Sequence, residues 1–275
     1  MAAPSPFDAA ITPWNNLRAV IYARFRIHEE ERWGWVEGQR VGAVTGSPFA
    51  AHSRGPAIAD LSEVTLLAPC LPTKIVAVTL NFPGRAEETG QPLPAVPQIF
   101  LKPTSSVVGP EQPILLPPQS NQVEHEAELG VVMGRQTRWV TPGDALSHVL
   151  GFTCGNDITA RDLEETDHQL TRAKAFDTFC ALGPWIVTGL DPADMVIFCS
   201  VNGQVRQMTS TREMAFSVPQ LIAFISSIMT LEPGDVILAG TPPGVGPLRD
   251  GDRVEIEIEG IGRLANPVVK PPSES

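Results

Sequence analysis

The stretch Val123-Glu124-His125-Glu126-Ala127-Glu128-Leu129-Gly130-Val131-Val132 decides how the rest of the chain is read. Its carboxylates recur at every second position and then give way to an apolar run. A strand sends alternate side chains to one face, so Glu124, Glu126 and Glu128 leave the same side while Leu129 to Val132 carry the backbone into a core. Three acids on one face repel each other. Two arrangements relieve the repulsion, a solvated edge or a bound cation. The cation needs a further acid, and Gly155-Asn156-Asp157-Ile158-Thr159-Ala160-Arg161-Asp162 offers Asp157 directly after the apolar Val149-Leu150-Gly151-Phe152. A second alternation, Glu255, Glu257 and Glu259 among Val254, Ile256 and Ile258, reads as the outward face of a half-exposed antiparallel strand. What separates the two is their surroundings: an Asp-bearing loop and a lysine segment follow the first, and only Gly260-Ile261-Gly262-Arg263 follows the second.

A chain of 275 residues suffices for one large domain, or a large and a small one, with a sizeable core. With 43% hydrophobic and 19% charged residues, it has the composition of an ordinary soluble globular protein. The formal charge of -11 and the lack of a Lys/Arg cluster argue against nucleic acid as a partner. An anionic substrate would then need a metal or local cations in its site. Cys70, Cys154, Cys180 and Cys199 show no Cys-x-x-Cys spacing, which suits reduced, buried thiols rather than a disulfide frame or a zinc site. No secretory signal stands at Met1-Ala2-Ala3-Pro4-Ser5-Pro6, and no segment reaches the roughly 18 apolar residues of a spanning helix. The expected compartment is the cytoplasm, with no membrane partner.

In chain order, residues 1–16 read as a loose arm, and 17–25, 32–37 and 40–44 as short strands of a small β unit. A Ser/Gly/Pro stretch from Gly46 to Pro56 reads as a connection. Trp33 and Trp35 are expected to pack against the main body. The boundary falls in Ala68-Pro69-Cys70-Leu71-Pro72, which gives a small N-terminal domain over 1–69 and a larger one over 70–275. Lys74 to Leu80 and Gln98 to Lys102 read as strands, and Asn81 to Gly90 between them as a loop of at most two helical turns, the sort of segment that closes over a site. Asn202-Gly203 turns a hairpin between Val196 to Val201 and Gln204 to Met208. Ser217 caps a helix whose Leu221, Phe224, Ile225, Ile228 and Met229 form an apolar stripe. Gly234 to Ala239 is a strand that delivers the loop Gly240-Thr241-Pro242-Pro243-Gly244-Val245-Gly246-Pro247, either a long turn or a set of backbone amides aimed at a carboxylate. Strands outnumber helices, so the fold class is mixed α/β and β-dominated.

Five separate segments are familiar together: 123–134, 155–162, Thr171-Arg172-Ala173-Lys174-Ala175-Phe176-Asp177-Thr178-Phe179, the Val201-Asn202-Gly203 hairpin and 231–246. In collinear order over roughly 70–269 they resemble the fumarylacetoacetate hydrolase family, and the N-terminal part looks like the small variable domain of its longer bacterial members. The resemblance implies a rolled β-sandwich or barrel-like catalytic domain, a homodimer, and Mg2+ or Mn2+ held by Glu126, Glu128 and Asp157. This donor set suits hard divalent ions, which prefer carboxylate oxygens and six-fold coordination. About three positions would then remain for the carboxylate and 2-oxo group of a substrate and for a water. Glu124 becomes an extra acid at the mouth. Lys174 matches the family's active-site lysine, Thr241 a residue that hydrogen-bonds the substrate carboxylate, and Asn81 stands beside the substrate in the Asn81-Phe82 pair. Arg161 and Asp162 are read as structural.

The departures from the family pattern bear on the reaction. Many relatives carry a His and a Glu in the lid that handle the attacking water, and the matching positions here are Arg85 and Glu88. Arginine is no general base near neutral pH. Glu88 would act only if burial raised its pKa, and Arg85 would suit a second substrate carboxylate. Glu164 replaces a usual Gln, and Leu170 a usual Trp. His168, between Asp157 and Lys174, is a candidate replacement base. The implied function is a metal-dependent hydrolytic or decarboxylative carbon-carbon cleavage of a 2-oxo dicarboxylic acid, as in aromatic catabolism. The alternatives are a 2-hydroxyhepta-2,4-diene-1,7-dioate isomerase and a silent oxo-acid-binding relative.

Overall fold

The structure is a computed structural model, and it describes residues 19–271. The expected arm over 1–16 lies outside them. Three sheets carry the fold. The largest runs, in spatial order, His52–Asp60, Arg40–Gly46, Glu30–Glu37, Ile21–Ile27, Cys180–Val187, Val149–Asp157, Ala127–Met133, Val236–Leu238, Ile75–Thr79 and Gln98–Lys102. A second sheet orders Gln204–Ser210, Val196–Val201, Arg253–Ile258, Gly262–Val269 and Ile114–Leu115. The third joins Thr159–Ala160, Val123–His125 and Gly246–Pro247. The fold is β-dominated as expected, and its sheets are open, with free edges at Gln98–Lys102 and Gln204–Ser210.

The N-terminal strands do not form a sheet of their own. Ile21 pairs with Val187 and Tyr22 with Ile186, so the small unit extends the large sheet through main-chain hydrogen bonds. Trp33 packs with Phe49 against a buried group that includes Ile75, Leu182 and Val236, as expected. Trp35 instead lies across Gly42 and donates its indole N–H to the Gly55 carbonyl at 2.9 Å. Composition hid the strand His52–Asp60, which the Ser/Gly/Pro stretch made look like a connection. It is the edge strand, where a proline such as Pro56 costs no ladder hydrogen bond, and its register slips around that residue.

The core lies between the large and the second sheet, with Leu129, Val131 and Phe152 on one side and Ile197, Ile256 and Leu264 on the other. The helix Val218–Ile228 closes it with buried Leu221, Ile222 and Ile225, and its N-terminus is a capping box between Ser217 and Gln220. Glu257 departs from the outward reading. It is 8% exposed and accepts from Arg263 at 3.2 Å.

One connection positions the site. Val236–Leu238 runs parallel to Ile75–Thr79, so both strands release their following loops at the same end. The pair is anchored by fully buried Asp235, which accepts from the Thr73 and Lys74 amides at 2.9 and 3.1 Å and pairs with the Lys74 ammonium. The loops so delivered are the lid after Thr79 and the Gly240–Thr241 turn.

Candidate metal centre and active site

The deciding stretch is not one strand. It breaks at Glu126, between Val123–His125 in the small sheet and Ala127–Met133 in the large one. At the break the Glu126 amide donates to Asn156 Oδ1 at 3.0 Å and its carbonyl accepts from the Asp157 amide at 2.9 Å. The break turns Glu124 aside, where it takes hydrogen bonds from Gln122 and Arg161, both at 2.8 Å. Glu126 and Glu128 instead converge with Asp157, at the end of the neighbouring strand Val149–Asp157. All three are buried, and one carboxylate oxygen from each lies within 4.8 Å of the others.

The charges around this triad are placed with few alternatives. Lys174 Nζ stands 2.7 Å from both Glu126 Oε2 and Asp157 Oδ2. Lys102, fully buried and absent from the sequence reading, stands 2.6 Å from Asp157 Oδ1. Arg161 bridges Glu124, Glu126 and Glu164, so it organises the wall of the site as well as the fold. Burial alone would raise Glu126, but Lys174 and Arg161 overcome it and hold the carboxyl at about 2. Lys174, although buried, is held above the ordinary lysine range by Asp157 and Glu126. Glu128 takes a single main-chain donor, the Gly240 N–H at 2.7 Å. Burial first, and then the charges of Asp157 and Glu126, push its carboxyl well above the usual range.

Three buried carboxylates thus face Lys174, Lys102 and one arm of Arg161, and Glu128 is the one without an ion-pair partner among the described residues. An oxygen-only donor set of three converging carboxyls suits a hard divalent cation such as Mg2+ or Mn2+. The sequence signal that would have found Lys102 is a charge ending the apolar run Ile99-Phe100-Leu101. Phe100 of that run stacks under Lys174, with Nζ 5.1 Å from the ring centre.

Above the triad lies a cavity of about 630 Å³, lined among others by Arg85, Phe100, Arg161, His168, Lys174 and Thr241. The lid forms the helix Pro83–Thr89, started by Pro83 and ended by Gly90 at φ +67°. Arg85 lines the cavity, and its Nη1 donates to Glu88 Oε2 at 2.5 Å. The other oxygen of Glu88 accepts from the Gly244 N–H at 3.0 Å. Each oxygen of Glu88 therefore accepts one hydrogen bond, which ties the lid to the Gly240–Pro247 loop. His168 reaches the cavity from an exposed position after the helix Arg161–Asp167. Thr241 lines it, 7% exposed. Asn81 does not. It is fully buried and spans main-chain groups, with Nδ2 donating to the Phe216 and Ala239 carbonyls at 3.0 and 2.8 Å and Oδ1 accepting from the Phe216 amide at 2.8 Å. Its place is to fix the lid's root, not to touch a ligand. The four cysteines are buried and free, and burial raises every thiol.

Comparison with known proteins gives this geometry a family. The family model described as fumarylacetoacetate (FAA) hydrolase C-terminal matches residues 74–269, and one described as Rv2993c-like, N-terminal, matches residues 22–69. Among solved structures, the 2-hydroxyhepta-2,4-diene-1,7-dioate isomerase from Mycobacterium marinum is similar with TM-score 0.86 and 42% identity, over 92% of this chain and 100% of that one. The maleylpyruvate hydrolase from Sphingobium sp. SYK-6, solved with manganese(II) and pyruvate, is similar with TM-score 0.76 and 31% identity, over the same shares. A mitochondrial protein of Bos taurus named oxaloacetate tautomerase FAHD2A is 44% identical over 221 residues, 76% of this chain and 70% of its own length. No helix among the described residues is long and apolar enough to cross a membrane. The chain belongs to the fumarylacetoacetate hydrolase family.

Proposed function

We propose that the chain is a divalent-metal-dependent isomerase that shifts a proton between the enol and keto forms of a 2-oxo dicarboxylic acid. The observation that carries this is the lid. Arg85 stands where a water-activating histidine would be expected, and Glu88 is held by the cationic Arg85 and by the Gly244 N–H, one on each oxygen. A proton shift needs no attacking water, whereas hydrolytic cleavage does. The named activities of the Mycobacterium marinum and Bos taurus relatives are of this proton-shifting kind.

In this reading Glu126, Glu128 and Asp157 hold Mg2+ or Mn2+, and the bound cation stabilises negative charge on the 2-oxo oxygen. Lys174, kept protonated by its two carboxylates, directs its ammonium toward the same developing charge. Arg85 offers its guanidinium to the far carboxylate of the substrate. Glu165 and His168 on the cavity wall are exposed and have no ion-pair partner among the described residues, and they are the groups assigned to carry the proton. Phe100 and Leu170 add apolar surface to the same wall.

Arg85→Met therefore raises KM for a dicarboxylic substrate by about thirtyfold to a hundredfold, the worth of one charged hydrogen-bonded pair. For a 2-oxo monocarboxylic acid it changes KM by less than about threefold, and steady-state kinetics on the two substrate types separate these outcomes. The reaction itself is tested by following the ultraviolet absorbance of the enol forms of oxaloacetate and of 2-hydroxyhepta-2,4-diene-1,7-dioate with Mg2+ and Mn2+. Metal-dependent enol loss that yields only the isomer supports the proposal. Release of a cleavage product in step with the absorbance change would favour the hydrolase or decarboxylase reading instead.

A further inference from the structure

The two glutamates of the triad are separated by one residue, Ala127, and no strand holds that residue on one of its sides. The ladder between Ala127–Met133 and Val236–Leu238 ends at Gly130 and Leu238, and one more hydrogen bond follows, from the Ala239 N–H to the Leu129 carbonyl at 3.1 Å. Alternate residues of a strand turn their N–H and C=O to the same side, so Ala127 faces the side that the neighbouring strand has left. Side chains take the strand's place there. Gln207 Oε1 accepts from the Ala127 N–H at 3.1 Å, and Thr241 Oγ1 donates to the Ala127 carbonyl at 2.9 Å. The N–H belongs to the peptide shared with Glu126 and the carbonyl to the peptide shared with Glu128, so both links between the two carboxylates are held.

Gln207 lies on Gln204–Ser210, an edge strand of the second sheet, and is 1% exposed. Its Nε2 donates to the Pro242 carbonyl and to Thr241 Oγ1, both at 2.8 Å. The Ala127 N–H only donates and the Pro242 carbonyl only accepts, so the amide has one consistent orientation. His125 Nδ1, 3.1 Å from the same Oε1, then carries its proton and donates as well. The Gly240–Pro247 loop lies flush on this strand: a Cβ at Gly244, whose φ is +97°, would fall 2.0 Å from the Arg206 carbonyl. One buried amide thus joins the strand that carries Glu128, the loop after Val236–Leu238 and the second sheet.

We propose that Gln207 is a positioning residue for the cation: by fixing the peptides on either side of Ala127 it sets the separation of the Glu126 and Glu128 carboxylates, and so the size of ion that the triad accepts. Mg2+ demands near-octahedral geometry with oxygens at about 2.0–2.1 Å, whereas Ca2+ accepts looser shells at about 2.3–2.6 Å. Pinned peptides favour the small ion, and loosened ones cost it more than the large ion. The presence of a cation rests on the proposed function; the clamp rests on Gln207, Thr241 and Ala127 alone.

The test is calorimetric titration of the metal-free full chain with MgCl2 and with CaCl2. Gln207→Met, which removes every hydrogen bond of the amide, is expected to weaken Mg2+ by about tenfold, the worth of one hydrogen bond, and Ca2+ by less than about threefold. Thr241→Val frees the Ala127 carbonyl and shifts the ratio of the two affinities in the same direction, and Thr241→Ser keeps the wild-type ratio. A merely structural role for Gln207 would lower the binding-competent fraction, and with it both affinities alike, leaving the ratio unchanged. Equal losses for the two ions in Gln207→Met, or a wild-type ratio in Thr241→Val, would overturn the inference while the metal site stands. Failure of the wild type to bind either ion would remove the metal reading and the clamp together.

Discussion

Glu128→Gln is expected to abolish metal-dependent turnover, by about a thousandfold or more, without destabilising the metal-free protein. The loss follows from removing one of three ionic ligands to a cation that contributes several kcal/mol of transition-state charge stabilisation. The retained stability follows from the surroundings of Glu128. Its carboxyl is 1% exposed, accepts one main-chain N–H and faces the like charges of Asp157 and Glu126. A glutamine keeps that hydrogen bond and removes the charge, so the metal-free melting temperature stays level or rises. The pH dependence has a definite sign. An acid whose folded pKa lies above its unfolded value stabilises fully below the unfolded pKa, and that contribution is lost as pH rises through the folded pKa. Metal-free wild type therefore loses stability over that interval through Glu128, and Glu128→Gln flattens this part of the profile in thermal melts. Saturating Mn2+, at about 100 times its Kd, adds about 2.7 kcal/mol to the wild type and little to the variant.

Asp157→Ala behaves differently, although both residues are proposed ligands. Asp157 holds two buried lysines, Lys174 at 2.7 Å and Lys102 at 2.6 Å. Removing one partner of a buried ion pair leaves the other charge uncompensated, at a cost of about 3–5 kcal/mol. The variant is expected to lose both metal-dependent activity and about 10 °C of melting temperature. The buried Lys102 is what adds a stability loss to the loss of a ligand. Urea denaturation of the metal-free variants measures the contrast, and an Asp157→Ala midpoint equal to wild type would remove the charge-pair account.

Much of this was legible in the chain. The Asn202-Gly203 hairpin, the Ser217 cap and the strand Gln98–Lys102 follow from local chemistry that tertiary contacts do not override. The triad Glu126, Glu128 and Asp157 was legible as a candidate from the residues, but the family resemblance was needed to choose it, because alternation alone favours a solvated face. The break at Glu126 was not legible, since nothing in the residue types of 123–128 marks the point where one sheet ends and another begins. Gln207 carried no such signal, and Lys102 only the weak one of a charge ending an apolar run. Each is a polar residue on an edge strand, and each is buried with its side chain engaged by partners distant in sequence. Asn81 shows the converse, a residue placed at the substrate by motif position whose amide is wholly committed to main-chain groups 135 and 158 positions away in sequence.

The most direct test of the central claim is proton NMR of oxaloacetate in D2O with the purified protein, with Mn2+ removed by chelation and then restored with Mg2+. The account predicts Mg2+-dependent deuterium incorporation at the carbon next to the 2-oxo group, above the rate of Mg2+ alone, with the carbon chain intact and the effect absent in Glu128→Gln. Enzyme-dependent appearance of pyruvate, or exchange that Glu128→Gln retains, would contradict it.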